Sequence, residues 1–236
     1  MPGCREATHT ATVLLLLPVL TLIFWSLQGR THAAWGTSQV NYADFDCVVT
    51  AYFGLEEYRV DYNGTEHVCS GQSEVVHHYD SDNCGLAGSD GFCGECERAG
   101  KSAIAVMSNA FAFSIWSLVV VVLRCRKEGE RRFRGLRHCT NLTLLFLTIL
   151  LVISLAVWTR TCQKSIRITA EDNIASASGG TFSATMCAGF MMVLVASVLS
   201  ALANILQACA PALPVALVGP QQYGQLPSGP VANELL

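Results

Sequence analysis

Cysteine and histidine are the residues of this chain whose types and spacing could do chemistry. The chain has 236 residues, 11 of them Cys and 6 of them His. The stretch CGEC, from Cys93 to Cys96, has the spacing of a redox dithiol or of half a zinc site, and His77 and His78 precede it. Because the sequence lacks a second CxxC pair, disulfide bonding is the interpretation that we favour for these cysteines.

Motifs that would indicate an enzyme are absent from the sequence. The chain has no GxSxG nucleophile motif, no HExxH metal motif and no phosphate-binding P-loop. We therefore expect a non-enzymatic protein without catalytic residues, a resident metal or a cofactor.

The elements that must position the cysteines are apolar helices. The chain is 51% hydrophobic and only 14% charged, against a usual charged fraction of about 25%. Four uncharged runs each reach the length of about 20 residues that a helix needs to cross a bilayer. We predict transmembrane helices at 8–28, 102–123, 139–159 and 182–208. The fold class is an all-α membrane protein built as a bundle of four transmembrane helices.

The first apolar run has a second interpretation as a cleaved signal peptide. The sequence THA at residues 31–33 loosely resembles a signal-peptidase site. The preceding segment MPGCREATHT, however, has one Arg balanced by one Glu instead of a net positive charge. We favour a retained helix preceded by a short N-terminal segment, 1–7.

Charge is sorted between the connecting segments. The segment 124–138 holds seven Lys/Arg, whereas residues 28–101 hold twelve Asp/Glu against four Lys/Arg. The positive-inside rule places 124–138 in the cytosol, with 1–7 and the Pro-rich tail 209–236, and places the loops 29–101 and 160–181 outside. We expect a multi-pass protein of the plasma membrane, with anionic lipids as partners of the basic loop. Nucleic-acid binding is excluded, because a short loop tethered at both ends to a bilayer offers little surface for a duplex.

The cysteines of the two outside loops are candidates for disulfide bonds, since the secretory route is oxidising. They are Cys47, Cys69, Cys84, Cys93, Cys96 and Cys162. Five lie in the first loop and one in the second, so parity predicts a bond between Cys162 and a first-loop cysteine. Cys96 is the preferred partner because it lies closest to the second span. The alternative is that one loop cysteine pairs with another subunit in a homo-oligomer.

The first outside loop also shows signals for strands and for glycosylation. CVVTAYFG and YRVDY are rich in β-branched and aromatic residues, which favour short strands. NGT makes Asn63 a glycosylation acceptor, whereas Asn141 of NLT begins the third span on the cytosolic side and is expected to stay unmodified. We predict a small, disulfide-stapled, β-containing extracellular loop domain.

This arrangement resembles the amastins, which are surface glycoproteins of trypanosomatid parasites and are distantly similar to the claudins. The stretch that carries the resemblance is CVVTAYFG, with the signature residues Cys47, Thr50, Tyr52, Phe53 and Gly54. It departs from the family pattern by two additional residues, by an aromatic pair in place of Trp and by a later second cysteine, Cys69. The resemblance implies a claudin-like bundle and a role at the cell surface, with host or neighbouring-cell surface molecules as partners.

Two kinds of function remain to be distinguished. The first is a tetraspan surface glycoprotein that displays its acidic loop, as in surface or host-cell interaction or claudin-like adhesion. The second is a channel or transporter subunit, which would need oligomerisation because four helices leave no room for a pore. A channel would also need a polar stripe. Asn109, Ser114 and Ser117 of the second span are polar enough to form hydrogen bonds between helices, and such packing is the role that we expect for them.

Overall fold

The computed structural model describes residues 2–28, 34–42, 47–64, 75–79, 84, 91–127, 134–169 and 181–209. Its helices are α1 (Pro2–Leu27), α2 (Gly91–Lys127), α3 (Arg134–Trp158) and α4 (Ala188–Cys209). Its strands are β1 (Gly36–Tyr42), β2 (Cys47–Phe53), β3 (Glu57–Gly64), β4 (Val75–His78) and β5 (Thr181–Met186).

Four helical stretches are long enough and apolar enough to cross a membrane, as predicted. They are Ala7–Leu27, Phe92–Arg124, His138–Thr169 and Ala188–Cys209. Helix α1 packs on α2 and α4, and α3 packs on the same two helices, so the four form a ring. Large apolar side chains such as Trp116, Phe146 and Val198 are exposed on the outside of this ring. An apolar outer surface is what hydrocarbon requires and water does not tolerate in large patches.

The bundle core follows from the spacing of the buried residues. Along α4 these recur at alternating steps of three and four, at Gly189, Val193, Ala196, Ser200, Ala203 and Gln207. The same alternation runs along α2 at Ala103, Met107, Ala110, Ser114, Ser117, Val121 and Arg124. A repeat that averages 3.5 residues keeps one stripe facing its neighbours, which is the geometry of left-handed helical bundles.

One end of the bundle carries an antiparallel sheet with the strand order β4-β3-β2-β1-β5. We call this the sheet end, and we call the opposite end, where α2 leads into α3, the loop end. Strand β5 belongs to the segment before α4 and pairs with β1, with Phe182 opposite Val40. The sheet therefore draws on both connecting segments, and β2 is its central strand.

Several predicted boundaries are corrected by this structure. The fourth span was expected at 182–208, but its first residues form β5 and the helix begins at Ala188. The loops 29–101 and 160–181 are shorter than expected. Helix α2 begins at Gly91, and α3 continues through a π-helical segment, Thr159–Gln163, to residue 169.

The reason for these differences is that hydropathy marks where charges begin and not where a helix ends. At the start of α4 the residues on both sides are uncharged, so main-chain pairing of β5 with β1 decides the boundary. The basic segment 124–138 is likewise helical up to Lys127 and again from Arg134. The predicted tail, 209–236, lies outside the described residues apart from Cys209.

Candidate functional site

Disulfide bonds tie the sheet end together. Cys96 is bonded to Cys162, with their Cα atoms 4.3 Å apart, and this is the pairing that parity together with nearness to the second span predicts. Cys84 is bonded to Cys93, and Cys47 is also disulfide-bonded. Cys69 lies outside the described residues.

The Cys96–Cys162 bond joins helical extensions, which corrects the expectation that it joins two loops. Cys96 lies in the first turns of α2, and Cys162 lies in the π-helical segment that follows α3. Both residues are fully buried. The cross-link therefore fixes α2 against α3 where both helices approach the sheet.

The disulfides also settle the alternative interpretations of CGEC. Cys93 and Cys96 are bonded to different partners, so they do not form a redox dithiol with each other. Within the described ranges, no group of three or more His, Cys, Asp or Glu is placed to hold a metal ion. His77 lies on β4, where its ring stacks on Tyr58 with the centroids 5.0 Å apart.

The turn between β2 and β3 packs directly against α2. Leu55 in this turn is buried, and an ideal Cβ on Gly100 would lie 1.7 Å from its carbonyl oxygen and 2.8 Å from its carbonyl carbon. Only glycine allows the strand turn and the helix to approach so closely. Gly100 is thus one attachment of the sheet to the bundle.

Trp35 forms a second attachment, between the sheet and the helix ends. Its indole is fully buried and packs edge-on against Trp158, with the ring centroids 5.5 Å apart, and against Phe190. Its amide donates to the carbonyl of Phe53 at 2.7 Å, and its carbonyl accepts from the amide of Cys187. Trp35 therefore connects β2, the end of α3 and the start of α4.

Beneath β2 and β3, an aromatic cluster packs the sheet onto α2. Tyr58 is 1% exposed and lies against Phe53, Tyr79 and Phe92. The Tyr79 hydroxyl donates to the Gly54 carbonyl at 3.3 Å. Burial raises the pKa of Tyr79 well above its ordinary value, with further contributions from neighbouring Tyr58 and Glu57.

The opposite face of the sheet points away from the helices. Because side chains alternate along a strand, residues that pair with one another share this face. They are Thr37, Gln39, Asn41, Val48, Thr50, Tyr52, Arg59, Asp61, Asn63, Val76, Thr181, Ser183 and Thr185. We call this set the outer face. It is dominated by short uncharged polar side chains and includes one pair of opposite charges, Arg59 and Asp61, in contact at 2.9 Å.

The residues that carry the resemblance to the amastins and the predicted glycosylation acceptor lie in or next to this sheet. Cys47, Thr50, Tyr52 and Phe53 belong to the central strand β2, and Gly54 begins the turn to β3. Thr50 and Tyr52 lie on the outer face, whereas Phe53 is buried in the aromatic cluster. Asn63 is exposed near the end of β3.

A polar cluster inside the bundle was not foreseen from the sequence. His9 and Thr12 of α1, Arg124 of α2 and Gln207 of α4 are all buried and meet at the loop end. The signal available in the sequence was a single Gln and a single His within otherwise apolar runs. Nothing local indicates that they meet, because 198 positions separate His9 from Gln207.

Two serines of α2, Ser114 and Ser117, were expected to form hydrogen bonds between helices, and the structure differs from this expectation. Ser114 and Ser117 are fully buried, but within the described part of the chain their hydroxyls have no hydrogen-bond partner. The hydroxyls of Thr148 and Ser200, by contrast, join α3 to α4 at 2.8 Å. Asn109 is bonded within its own helix, to the carbonyl of Ala105.

Compared with known protein families, the chain matches no family model. The comparison with curated proteins likewise gives no match. Function is therefore inferred from the geometry of the sheet and the bundle.

Proposed function

We propose that this chain is a non-enzymatic, amastin-like surface protein that presents its sheet outside the cell to molecules on a host or neighbouring cell. One observation carries the proposal. The sheet is attached to the bundle at two separate places, Gly100 and Trp35, and the Cys96–Cys162 bond fixes the helices α2 and α3 next to it, while its outer face is left exposed. A binding surface held by rigid elements loses little conformational freedom when a partner docks.

The composition of the outer face supports recognition of another surface. Tyr52 and Val76 flank Arg59 across three adjacent strands, and they are 38% and 43% exposed. A tyrosine and an aliphatic side chain surrounded by Thr, Gln and Asn resemble the apolar centre and polar rim of a protein interface. Tyrosine also provides a large contact area at a low cost in side-chain entropy.

The orientation of the bundle is supported by charge and by cysteine chemistry. The basic segment 124–138 lies at the loop end, which the positive-inside rule assigns to the cytosol. The bonded cysteines lie at the sheet end, and the free cysteines Cys139 and Cys209 lie at the loop end, whereas the free Cys187 precedes α4 at the sheet end. Disulfides belong to oxidising compartments and free thiols to the cytosol.

Helix α1 is retained as an anchor in this proposal. Its Leu16, Val19 and Ile23 are buried in the bundle core. The hydroxyl of Ser26 also donates to the carbonyl of Gly189, at 3.1 Å. Removal of α1 as a signal peptide would uncover apolar surface on both of its neighbours, so its packing favours retention.

The proposal is tested with the purified full-length protein in lipid bilayers supported on beads. Adhesion of these beads is measured to cultured host cells and to cells of the organism that makes the protein. We expect the double substitution Tyr52→Ser and Val76→Ser to reduce bead binding about tenfold, since a good central contact contributes more than 1 kcal/mol. Ile168→Ser is the matched control, because Ile168 is at least as exposed, at 48%, but lies on the helical extension after α3. Equal binding by all three proteins would contradict the proposal.

A channel or transporter subunit is the second candidate, and the buried Arg124 and His9 favour it. Ionisable groups inside candidate spans often mark transport pathways. The interior nearer the sheet end, however, is filled by large apolar side chains, among them Ile23, Met107, Leu151 and Trp158. Uptake into proteoliposomes distinguishes the two: a reproducible, selective flux would overturn the display proposal, and we expect none.

A further inference from the structure

Two buried hydroxyls of α2 have no hydrogen-bond partner. Ser114 and Ser117 are both fully buried, and within the described part of the chain no donor or acceptor contacts either Oγ atom. They lie three residues apart on the inward stripe of α2, so they are neighbours on one face of the helix. A buried hydroxyl without a partner is costly, and such groups normally bind a water molecule or another polar group.

Other buried hydroxyls of the bundle are satisfied within their own helix. Ser154, which is also fully buried, donates to the carbonyl of Leu151 at 2.8 Å. A serine in a helix can form such a bond to the preceding turn without help from another helix. Ser114 and Ser117 do not form it, so their hydroxyls are directed into the core of the bundle.

Ser200 of α4 faces this part of α2 across the middle of the bundle. Both helices run from the sheet end to the loop end, and Arg124 Nη1 of α2 lies 2.8 Å from Gln207 Oε1 of α4. Ser117 lies seven residues before Arg124, and Ser200 lies seven residues before Gln207. Because seven residues make about two turns, both serines lie on the inward stripes at about the same height.

Contacts through α3 give a second measure of this height. Thr148 of α3 is bonded to Ser200, and Phe146, two positions earlier, stacks on Phe113 of α2. Since α3 runs opposite to α2, this route places Ser200 level with a point just before Phe113. The two routes bracket Ser114, which Ser200 therefore faces to within about one turn.

The hydrogen bonds of Thr148 leave an acceptor free on Ser200. Thr148 Oγ1 lies 3.0 Å from the carbonyl oxygen of Leu144 and 2.8 Å from Ser200 Oγ. A hydroxyl has one proton to donate, and a carbonyl oxygen only accepts. Thr148 therefore donates to Leu144, Ser200 donates to Thr148, and the Ser200 oxygen keeps a lone pair for a further donor.

The ligand that fits these groups is neutral, small and able both to donate and to accept. The α2 side offers two hydroxyl protons, the α4 side offers a hydroxyl oxygen, and hydroxyls alone do not balance the charge of an ion. The side chains next to these serines on the two stripes are also small, since Ala110 lies on α2 and Ala196 and Ala203 lie on α4.

We propose that the bundle core binds a water molecule between Ser114 and Ser117 of α2 and Ser200 of α4. The water accepts a hydrogen bond from each serine of α2 and donates one to Ser200, and three bonds are the usual number for a buried water. It thereby joins α2, through Ser200 and Thr148, to α4 and α3. The inference is independent of the display proposal, because the site lies inside the bundle and away from the outer face.

Reversible unfolding of the full-length chain in mixed detergent micelles tests the water site. We expect Ser114→Ala and Ser117→Ala each to raise the equilibrium constant of unfolding about three- to tenfold, because each variant removes one hydrogen bond to the water. In a dry core, the same variants would remove an unsatisfied hydroxyl and would lower this constant about fivefold or more. Ser154→Ala is the matched control, because Ser154 is equally buried but bonded within its own helix. It should change the constant less than about twofold.

A double-variant cycle tests the bridge from α2 to α4. Ser114 and Ser200 share no direct hydrogen bond, so the water is the link that couples them. We expect the combined variant Ser114→Ala and Ser200→Ala to raise the unfolding constant about threefold less than the product of the two single effects. The effects of Ser154→Ala and Ser200→Ala, by contrast, should multiply to within about twofold. The proposal is overturned if neither Ser114→Ala nor Ser117→Ala raises the constant, or if the effects of Ser114→Ala and Ser200→Ala multiply.

Discussion

Gly100 is the residue at which a single methyl group would disturb the attachment of the sheet. A Cβ there would overlap the backbone of Leu55, and backbone atoms cannot move aside as the end of a flexible side chain can. We expect Gly100→Ala to lower the free energy of unfolding of the sheet by about 1 to 3 kcal/mol or more, as overpacking does. Thermal unfolding followed by tryptophan fluorescence in nanodiscs measures this.

The matched control for Gly100 is Gly94, which lies on the same helix. An added Cβ on Gly94 meets nothing within 4 Å, so Gly94→Ala should be tolerated, with a gain of up to about 1 kcal/mol from helix propensity. If the two alanine variants unfold at the same temperature, the close contact between the turn and α2 is not the attachment that we describe.

Tyr79 makes the stability of the sheet fall with rising pH in the alkaline range. Since burial raises its pKa, the folded chain keeps a phenol proton that the unfolded chain releases above about pH 10. The stability from this proton is fully present below about pH 10 and is lost as the pH rises towards the folded pKa. We expect Tyr79→Phe to weaken the fall in unfolding temperature above this pH. An unchanged slope would contradict the assignment.

The slope is not expected to vanish in Tyr79→Phe. Burial and the neighbouring Tyr42 also raise the pKa of Tyr62, although less strongly. At neutral pH, the same variant loses the hydrogen bond to the Gly54 carbonyl, at a cost of about 1 kcal/mol.

Asn63 is the expected carrier of glycan. It is exposed on the outer face near the end of β3, whereas Asn141 lies in α3 with its buried side-chain oxygen unpartnered among the described residues. We expect a glycosidase to increase the gel mobility of the wild type and of Asn141→Gln, but not of Asn63→Gln. A glycosidase shift that survives Asn63→Gln would count against this assignment.

Among the elements, the first turns of α2 and the π-helical segment after α3 are held together by the disulfide between Cys96 and Cys162. We expect Cys96→Ala, Cys162→Ala and the double variant each to lower the free energy of unfolding by roughly 2 to 4 kcal/mol. Because they remove the same bond, their effects should not add. Non-reducing peptide mapping of the wild type provides the direct check: a free thiol at Cys162, or a dimer lost on reduction, is the contrary result.

Strand β5 shows where prediction from the sequence stops. The four spans could be predicted because hydropathy over about 20 residues is a strong signal, and β2 and β3 because their residues favour strands. Residues 182–186 continue without charge into α4, so the sequence assigns them to the fourth span. Their pairing with β1, which lies more than a hundred positions away in the sequence, decides the structure.

Contacts between distant segments limited the prediction of the candidate site in the same way. The Cys96–Cys162 bond could be predicted because parity and nearness to the membrane restrict the choices. The close contact between Leu55 and Gly100 could not be predicted from the sequence, because a glycine before an apolar run can have many roles. The cluster around Gln207 needs three helices in register before its residues meet.

At the scale of the whole molecule, the two ends of the bundle have opposite chemistry. The sheet end has disulfides, aromatic packing and an exposed polar face, whereas the loop end has the basic segment, two free thiols and the buried polar cluster. Such a division is expected of a protein whose ends face different compartments. Display of the sheet outside the cell is therefore the central claim.

Tagging the full-length protein in cells tests this claim most directly. One epitope tag is inserted between β3 and β4, within 65–74, and a second is added at the C-terminus. We expect antibodies to stain the first tag on intact cells and the second only after permeabilisation. Staining of the C-terminal tag on intact cells, or of the 65–74 tag only after permeabilisation, would contradict display of the sheet at the cell surface.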